Sequence, residues 1–85
     1  MTQQSHKWQV YIIECADGTF YTGITTDVER RVEAHNAGTA AKYTRGRGPV
    51  QLIYQREAGD KSAASKEEHR IKQLTKKEKA ELAGM

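Results

Sequence analysis

The sequence predicts an α+β fold: a three-stranded antiparallel sheet flanked by helices, in the order β-β-α-β-α-α. Three observations carry that expectation. Residues 8–15, WQVYIIEC, are rich in aromatic and β-branched types and run into Asp17-Gly18, a strong hairpin-turn dipeptide. A second segment opens on a helix-capping pattern at Thr26 and carries an apolar stripe at helical spacing. Beyond the turn at Gly59-Asp60, Ala64, Ile71 and Leu74 fall on one helical face, spaced by seven and three.

Taken in order, the chain begins with a polar stretch, residues 1–7, read as a flexible leader to a single domain over residues 8–83. The first strand is followed by its return, Thr19-Phe20-Tyr21-Thr22-Gly23-Ile24, which closes a β-hairpin. Thr26-x-x-Glu29 has the form of a capping box, so the first helix is expected from Asp27 to about Asn36, with Gly38 ending it. Residues 37–49, AGTAAKYTRGRGP, read as a loop and a candidate mobile segment. Pro49 introduces a third strand, Val50 to Gln55. The remainder is helical, with a break near Thr75 and a short last helix to about Leu82.

Length and composition bound the function. At 85 residues the chain supplies one thin-cored domain, so a groove or surface site is expected in place of a large enclosed cavity. Lys and Arg total 14 against 11 Asp and Glu, a net charge of +3. That balance favours polyanionic partners, because neutralising phosphates releases counterions. Cys15 is the single cysteine, which fits a reducing compartment, and its apolar setting points to a buried, inert thiol. Cys15 with His6, His35 and His69 has no zinc-finger spacing. No apolar run approaches the ~18 residues a membrane span needs, and the leader lacks the apolar region of a secretory signal. A cytoplasmic protein with no membrane association is the expectation.

Several side chains stand out as candidate chemistry. Tyr11 and Tyr21 sit on the two arms of one hairpin, where both can reach one face of the sheet. Arg31 and His35, four residues apart on the first helix, share a face. Glu67 and Glu68 lie near the apolar side of the second helix, where a carboxylate calls for a partner or a metal. Each has an ordinary structural reading: amphipathic strand tyrosines, a charged helix surface, a histidine favouring a helix dipole, solvated glutamates paired with lysines. Together they supply what phosphodiester hydrolysis requires, namely a cation site, a phosphate-binding fork and groups that move or orient protons.

The spacing of Val10-Tyr11-Ile12 and Tyr21-Thr22-Gly23, with the tyrosines ten positions apart, resembles the signature of the GIY-YIG nuclease superfamily. Gln9-Val10-Tyr11 stands where the family name has Gly-Ile-Tyr. The continuation from Tyr21 through Arg31 to His35-Asn36 is more specific. It resembles the small stand-alone bacterial YhbQ-like members and the catalytic subunit of a structure-specific endonuclease that resolves branched DNA. Ala41-Lys-Tyr-Thr-Arg-Gly-Arg-Gly-Pro49 matches the loop that both groups share, and Asp60 through Glu68 to Lys72 resembles the helix bearing the metal carboxylate. The likeness covers about residues 8–82.

The resemblance implies the GIY-YIG fold and a set of roles. Tyr21 is expected to accept a proton from the attacking water, or to take part closely. Tyr11 orients that water and tyrosine, and Arg31 binds the scissile phosphate. His35 assists proton transfer or holds the phosphate. Glu68 binds one divalent metal ion, Mg²⁺ or Mn²⁺, and Gly23 lets the backbone turn tightly beside Tyr21. Helical geometry alone puts Glu67 slightly nearer the centre of the apolar face, so Glu67 and Glu68 stay open as the ligand. Lys42, Arg45, Arg47 and Lys72 are the expected nucleic-acid contacts.

The reading is thus a metal-dependent endonuclease or exonuclease acting on DNA, structure-selective and linked to DNA repair or recombination, with RNA left open. The alternative is a nucleic-acid-binding module without independent cleavage activity. Oligomeric state and any protein partner are not legible in the sequence.

Overall fold

The computed structural model describes residues 7–85. The expected leader therefore lies, Lys7 apart, outside the described residues, as does His6. Six elements follow in the expected order: β1 (Trp8–Glu14), β2 (Phe20–Thr25), α1 (Val28–Ala37), β3 (Gln51–Gly59), α2 (Lys61–Lys72) and α3 (Lys76–Leu82). The sheet order is β2-β1-β3, and both pairings are antiparallel. Its architecture is the α+β arrangement expected from the sequence.

β1 lies in the middle of the sheet, and this explains its composition. Val10, Tyr11, Ile12 and Ile13 are all buried, because helices cover both faces of the central strand. Side chains alternate across a strand. Tyr11, Ile13 and Cys15 accordingly join Val28 and Val50 in one core layer, with Tyr21 and Val32 packed against it. Val10 and Ile12 join Ile71 in the other, against Phe20, Ile24, Ile53, Leu74 and Leu82. α1 thus covers one face, and α2 and α3 the other. Cys15 is free and buried, the environment its apolar run suggests.

Local details depart from the sequence reading in three places, and the expected break near Thr75 gains a detail. The first helix is capped by Asp27, not by Thr26: the Asp27 side chain accepts from the Arg30 backbone N–H at 3.1 Å. Thr25 Oγ1 takes the Asp27 N–H at 3.1 Å, which holds Asp27 outside the helix and starts it at Val28. β3 runs four residues beyond the expected Gln55, to Gly59, because β1 supplies ladder partners as far as Trp8. The break near Thr75 is a true capping box, with Glu78 N–H donating to Thr75 Oγ1 at 3.1 Å and Thr75 N–H to Glu78 Oε1 at 2.9 Å.

The third departure is the loop over residues 38–49, which is tied down at several points. Asn36 Oδ1 accepts from Val50 N–H at 2.7 Å, fixing the loop's exit against α1. Ala16 N–H donates to the Arg47 carbonyl at 2.8 Å, and Arg47 Nη1 lies 2.6 Å from Asp17 Oδ2 in the hairpin turn. The loop, a candidate mobile segment in the sequence, here closes on the hairpin turn. Among the described residues no helix is long and apolar enough to cross a membrane.

Candidate active site

The hairpin register sets the two tyrosines. Tyr11 pairs with Gly23 and Ile13 with Tyr21, so both phenols project to the α1 face, one step apart diagonally. A Cβ on Gly23 would lie 2.6 Å from Tyr11 Oη. Gly23 sits within a regular strand, so the expected tight turn beside Tyr21 is not its role: its missing side chain is the space the Tyr11 phenol occupies.

α1 brings His35 down onto that pair. Its ring meets Tyr11 and Tyr21 edge-on, with centroids 5.8 and 5.1 Å away. His35 Nε2 lies 2.7 Å from Tyr11 Oη, and Nδ1 lies 2.8 Å from Thr44 Oγ1. Tyr11 and His35 are each 2 % exposed, so this pair is a buried support and not an open contact surface. Tyr21 is only partly buried and forms the more accessible phenol. It stacks on Tyr43, which carries the Arg47 guanidinium 4.4 Å from its ring centroid.

Charge converges on the same point. Burial pushes the Tyr11 phenol far above its ordinary value; Tyr21 adds to the rise, Arg31 opposes it, and Glu68 raises it further. Arg31, from α1, and Glu68, from α2, thus lie within electrostatic reach of one phenol. Burial also pushes the His35 imidazole below its usual value, and the Arg31 guanidinium adds to the effect. His35 is therefore neutral at pH 7, and Tyr11 is a phenol.

The two glutamates separate cleanly. Glu67 is held by Arg70, with Arg70 Nε donating to Oε1 at 3.2 Å, and that pairing together with Arg56 on β3 holds its carboxyl below the usual range. Glu68 instead acts on Tyr11, and its one direct partner of opposite charge is Lys72 Nζ at 3.2 Å. Of the two, Glu68 is the carboxylate whose charge reaches Tyr11. Among the described residues no cluster of three or more His, Cys, Asp and Glu side chains could enclose a metal. A lone carboxylate suits Mg²⁺ or Mn²⁺, which keep several waters and share phosphate oxygens, and does not suit a closed zinc site.

Of the expected nucleic-acid contacts, Lys42 and Arg45 are exposed on the loop. Arg47 is engaged with Asp17 and Tyr43, and Lys72 with Glu68. Thr44 and Tyr43 received no role from the sequence. Thr44 contacts His35 across nine residues of chain through a loop, and no local pattern announces such a contact.

A hairpin carrying paired tyrosines, a helix carrying Arg31 and His35, and a second helix carrying Glu68 define a class. The chain belongs to the GIY-YIG family: the model of the GIY-YIG catalytic domain matches residues 7–81. That superfamily is one of nuclease-type hydrolases, and it implies a nucleic-acid substrate. Within it, the relatives are UPF0213 proteins. The one from Halobacterium salinarum is 59% identical over 73 residues, 86% of this chain and 95% of that protein. The one from Yersinia pestis is 51% identical over 75 residues, covering 88% of this chain and 79% of that protein. A solution structure of the UPF0213 protein from Bacillus halodurans superposes with a TM-score of 0.58 at 45% identity, covering 92% of this chain and 83% of that one.

Proposed function

We propose that this protein hydrolyses DNA phosphodiester bonds with one divalent metal ion, Mg²⁺ or Mn²⁺, choosing its substrates by structure in DNA repair or recombination. The observation that carries the reading is the buried Tyr11–His35 pair beneath Tyr21, with the charges of Arg31 and Glu68 acting on the same phenol. The single buried cysteine suits a reducing, cytoplasmic setting.

The roles follow from exposure and charge. Tyr21, the more open phenol, accepts the proton of the attacking water. Tyr11, locked onto His35, orients that water and Tyr21. His35, with both ring nitrogens engaged, supports Tyr11 and has none left for phosphate. Arg31 donates a forked pair of hydrogen bonds to the scissile phosphate and offsets charge as it develops. Glu68 would hold the cation, whose positive charge would offset the negative charge that develops during cleavage. Lys42 and Arg45 are positioned to meet the flanking backbone phosphates, whereas Lys72 has first to exchange Glu68 for a phosphate.

The Lys72–Glu68 pair also favours a second reading, because it occupies a carboxylate oxygen that a metal needs. In that reading the domain binds nucleic acid and does not cut without a partner. A labelled panel of single-stranded, duplex, flap and branched DNA, incubated with Mg²⁺, Mn²⁺ or EDTA, separates the two. Cutting that EDTA abolishes supports the nuclease and names its substrate; salt-sensitive binding with no cutting in either metal supports the binding module.

A further inference from the structure

The loop between α1 and β3 sends the Thr44 side chain into the core beside His35. Thr44 is 1% exposed, and its hydroxyl has two partners: Oγ1 lies 3.2 Å from the Ala41 carbonyl and 2.8 Å from His35 Nδ1. A carbonyl only accepts, so the bond to Ala41 uses the single hydroxyl proton. Towards His35, Thr44 Oγ1 is then an acceptor, and Nδ1 must carry the imidazole proton. A neutral imidazole has one N–H. Its Nε2 is therefore a bare lone pair, and the 2.7 Å contact to Tyr11 is a bond donated by the phenol.

We infer that Thr44 is a positioning residue: by fixing the His35 tautomer it sets which way the Tyr11 proton points. The chain of donation runs from Tyr11 Oη–H to His35 Nε2, from Nδ1–H to Thr44 Oγ1, and from its hydroxyl to the Ala41 carbonyl. With its own proton turned inward, Tyr11 presents only lone pairs to the rest of the site. It can orient a water or the Tyr21 hydroxyl by accepting, and cannot donate to them. The opposite tautomer reverses the two links to His35 and breaks the one to Ala41, whose carbonyl cannot donate. Nε2–H would donate to Tyr11, and the phenol proton would turn outward, where it would compete with the water for Tyr21. Burial and the neighbouring Arg31 keep His35 neutral, so the tautomer is a choice between two uncharged forms.

The inference rests on Tyr11 belonging to the reactive site, but its first test does not need activity. Long-range ¹H–¹⁵N spectra of the uniformly labelled protein at neutral pH report which ring nitrogen of each histidine is protonated. Comparison with His35→Gln assigns the His35 signals. Wild type and Thr44→Ser are expected to show protonated Nδ1 and bare Nε2. Thr44→Val, which removes the acceptor at nearly constant volume, is expected to switch to protonated Nε2 with an otherwise native amide spectrum. A wild-type His35 protonated on Nε2, or on both nitrogens, overturns the inference, as does a folded Thr44→Val that keeps Nδ1–H. Should Thr44→Val fail to fold, wild type and Thr44→Ser still decide the tautomer.

The functional half is read on the best substrate from the DNA panel. Thr44→Val is expected to lower kcat by about tenfold or more with KM little changed, on the scale of a misdirected proton-transfer group, and Thr44→Ser to restore it. A tautomer switch with undiminished kcat would remove Thr44 from the reaction. No cutting by wild type with the expected tautomer would sink the nuclease reading and the positioning role, and would leave the donation chain as a structural one.

Discussion

The Tyr11 phenol is the residue on which most of the site depends. Its hydroxyl is buried, held by His35 and fitted over Gly23. Tyr11→Phe leaves His35 Nε2 without its donor, at a cost of about 1–3 kcal/mol, and cleavage is expected to fall by roughly 10²-fold in a single-turnover assay. Gly23→Ala pushes a methyl into the same phenol. A loss of about 1–3 kcal/mol in denaturant unfolding is expected from the overpacking, with activity lost alongside. His35 makes stability depend on pH. Its folded pKa lies below its unfolded one, so the unfolded chain binds the proton more readily. That contribution is complete above the ordinary histidine value, about 6.5, and is lost as pH falls from there through the folded pKa. Melting temperature measured from pH 8 to pH 5 should therefore fall more steeply for wild type than for His35→Gln, and parallel curves would show that His35 does not titrate on unfolding. Spacing and resemblance singled out Tyr11, Tyr21, Arg31, His35 and Glu68 as the expected site, because motif residues keep their order along the chain. The hydroxyl of Thr44 and the reason for Gly23 were not legible there, since both are contacts across the fold.

Among the elements, the two T-x-x-E patterns show what sequence alone can and cannot decide. Thr26-x-x-Glu29 reads as a capping box, yet Asp27 takes the cap because Thr25 already holds its backbone. Thr75-x-x-Glu78 carries the same signal inside a lysine-rich stretch, and there the box forms in full. Thr75→Ala is expected to cost about 1 kcal/mol in unfolding and to loosen α3, whose Leu82 helps cover the α2-side core layer. β3 was legible as a strand but not to its end. Arg56 and Glu57 break the apolar alternation, and only pairing with Val10 and Gln9 of β1 shows that they continue the strand. β2 holds a different kind of test. Thr22 Oγ1 is buried and without a hydrogen-bond partner among the described side-chain atoms. Thr22→Val removes a desolvated hydroxyl at constant shape and is expected to leave stability unchanged or raise it by up to about 1 kcal/mol; a clear loss in thermal unfolding would show that the hydroxyl has a partner in solution.

At the scale of the whole molecule, the sheet acts as a floor with a helix layer on each side, and the site is where the layers' charges meet. Arg31 comes from one layer and Glu68 from the other, and both act on a phenol of the hairpin between them. A net charge of +3 gave the class of partner, but not where the cations are spent. Arg47 and Lys72 are engaged within the fold, while Lys42 and Arg45 stay exposed on the pinned loop. Arg45→Ala is thus expected to weaken DNA binding by several-fold at low salt and to flatten its salt dependence, measured by fluorescence anisotropy. The central claim is that these charges and phenols form a working, metal-dependent phosphodiesterase. The most direct measurement is single-turnover cleavage of labelled branched and single-stranded DNA in Mg²⁺ and in Mn²⁺, wild type beside Glu68→Gln. Metal-dependent cutting by wild type is expected, with a loss of about 10²-fold or more in the variant and DNA affinity retained. Equal rates for the two proteins, or no cutting by wild type in either metal, would contradict it.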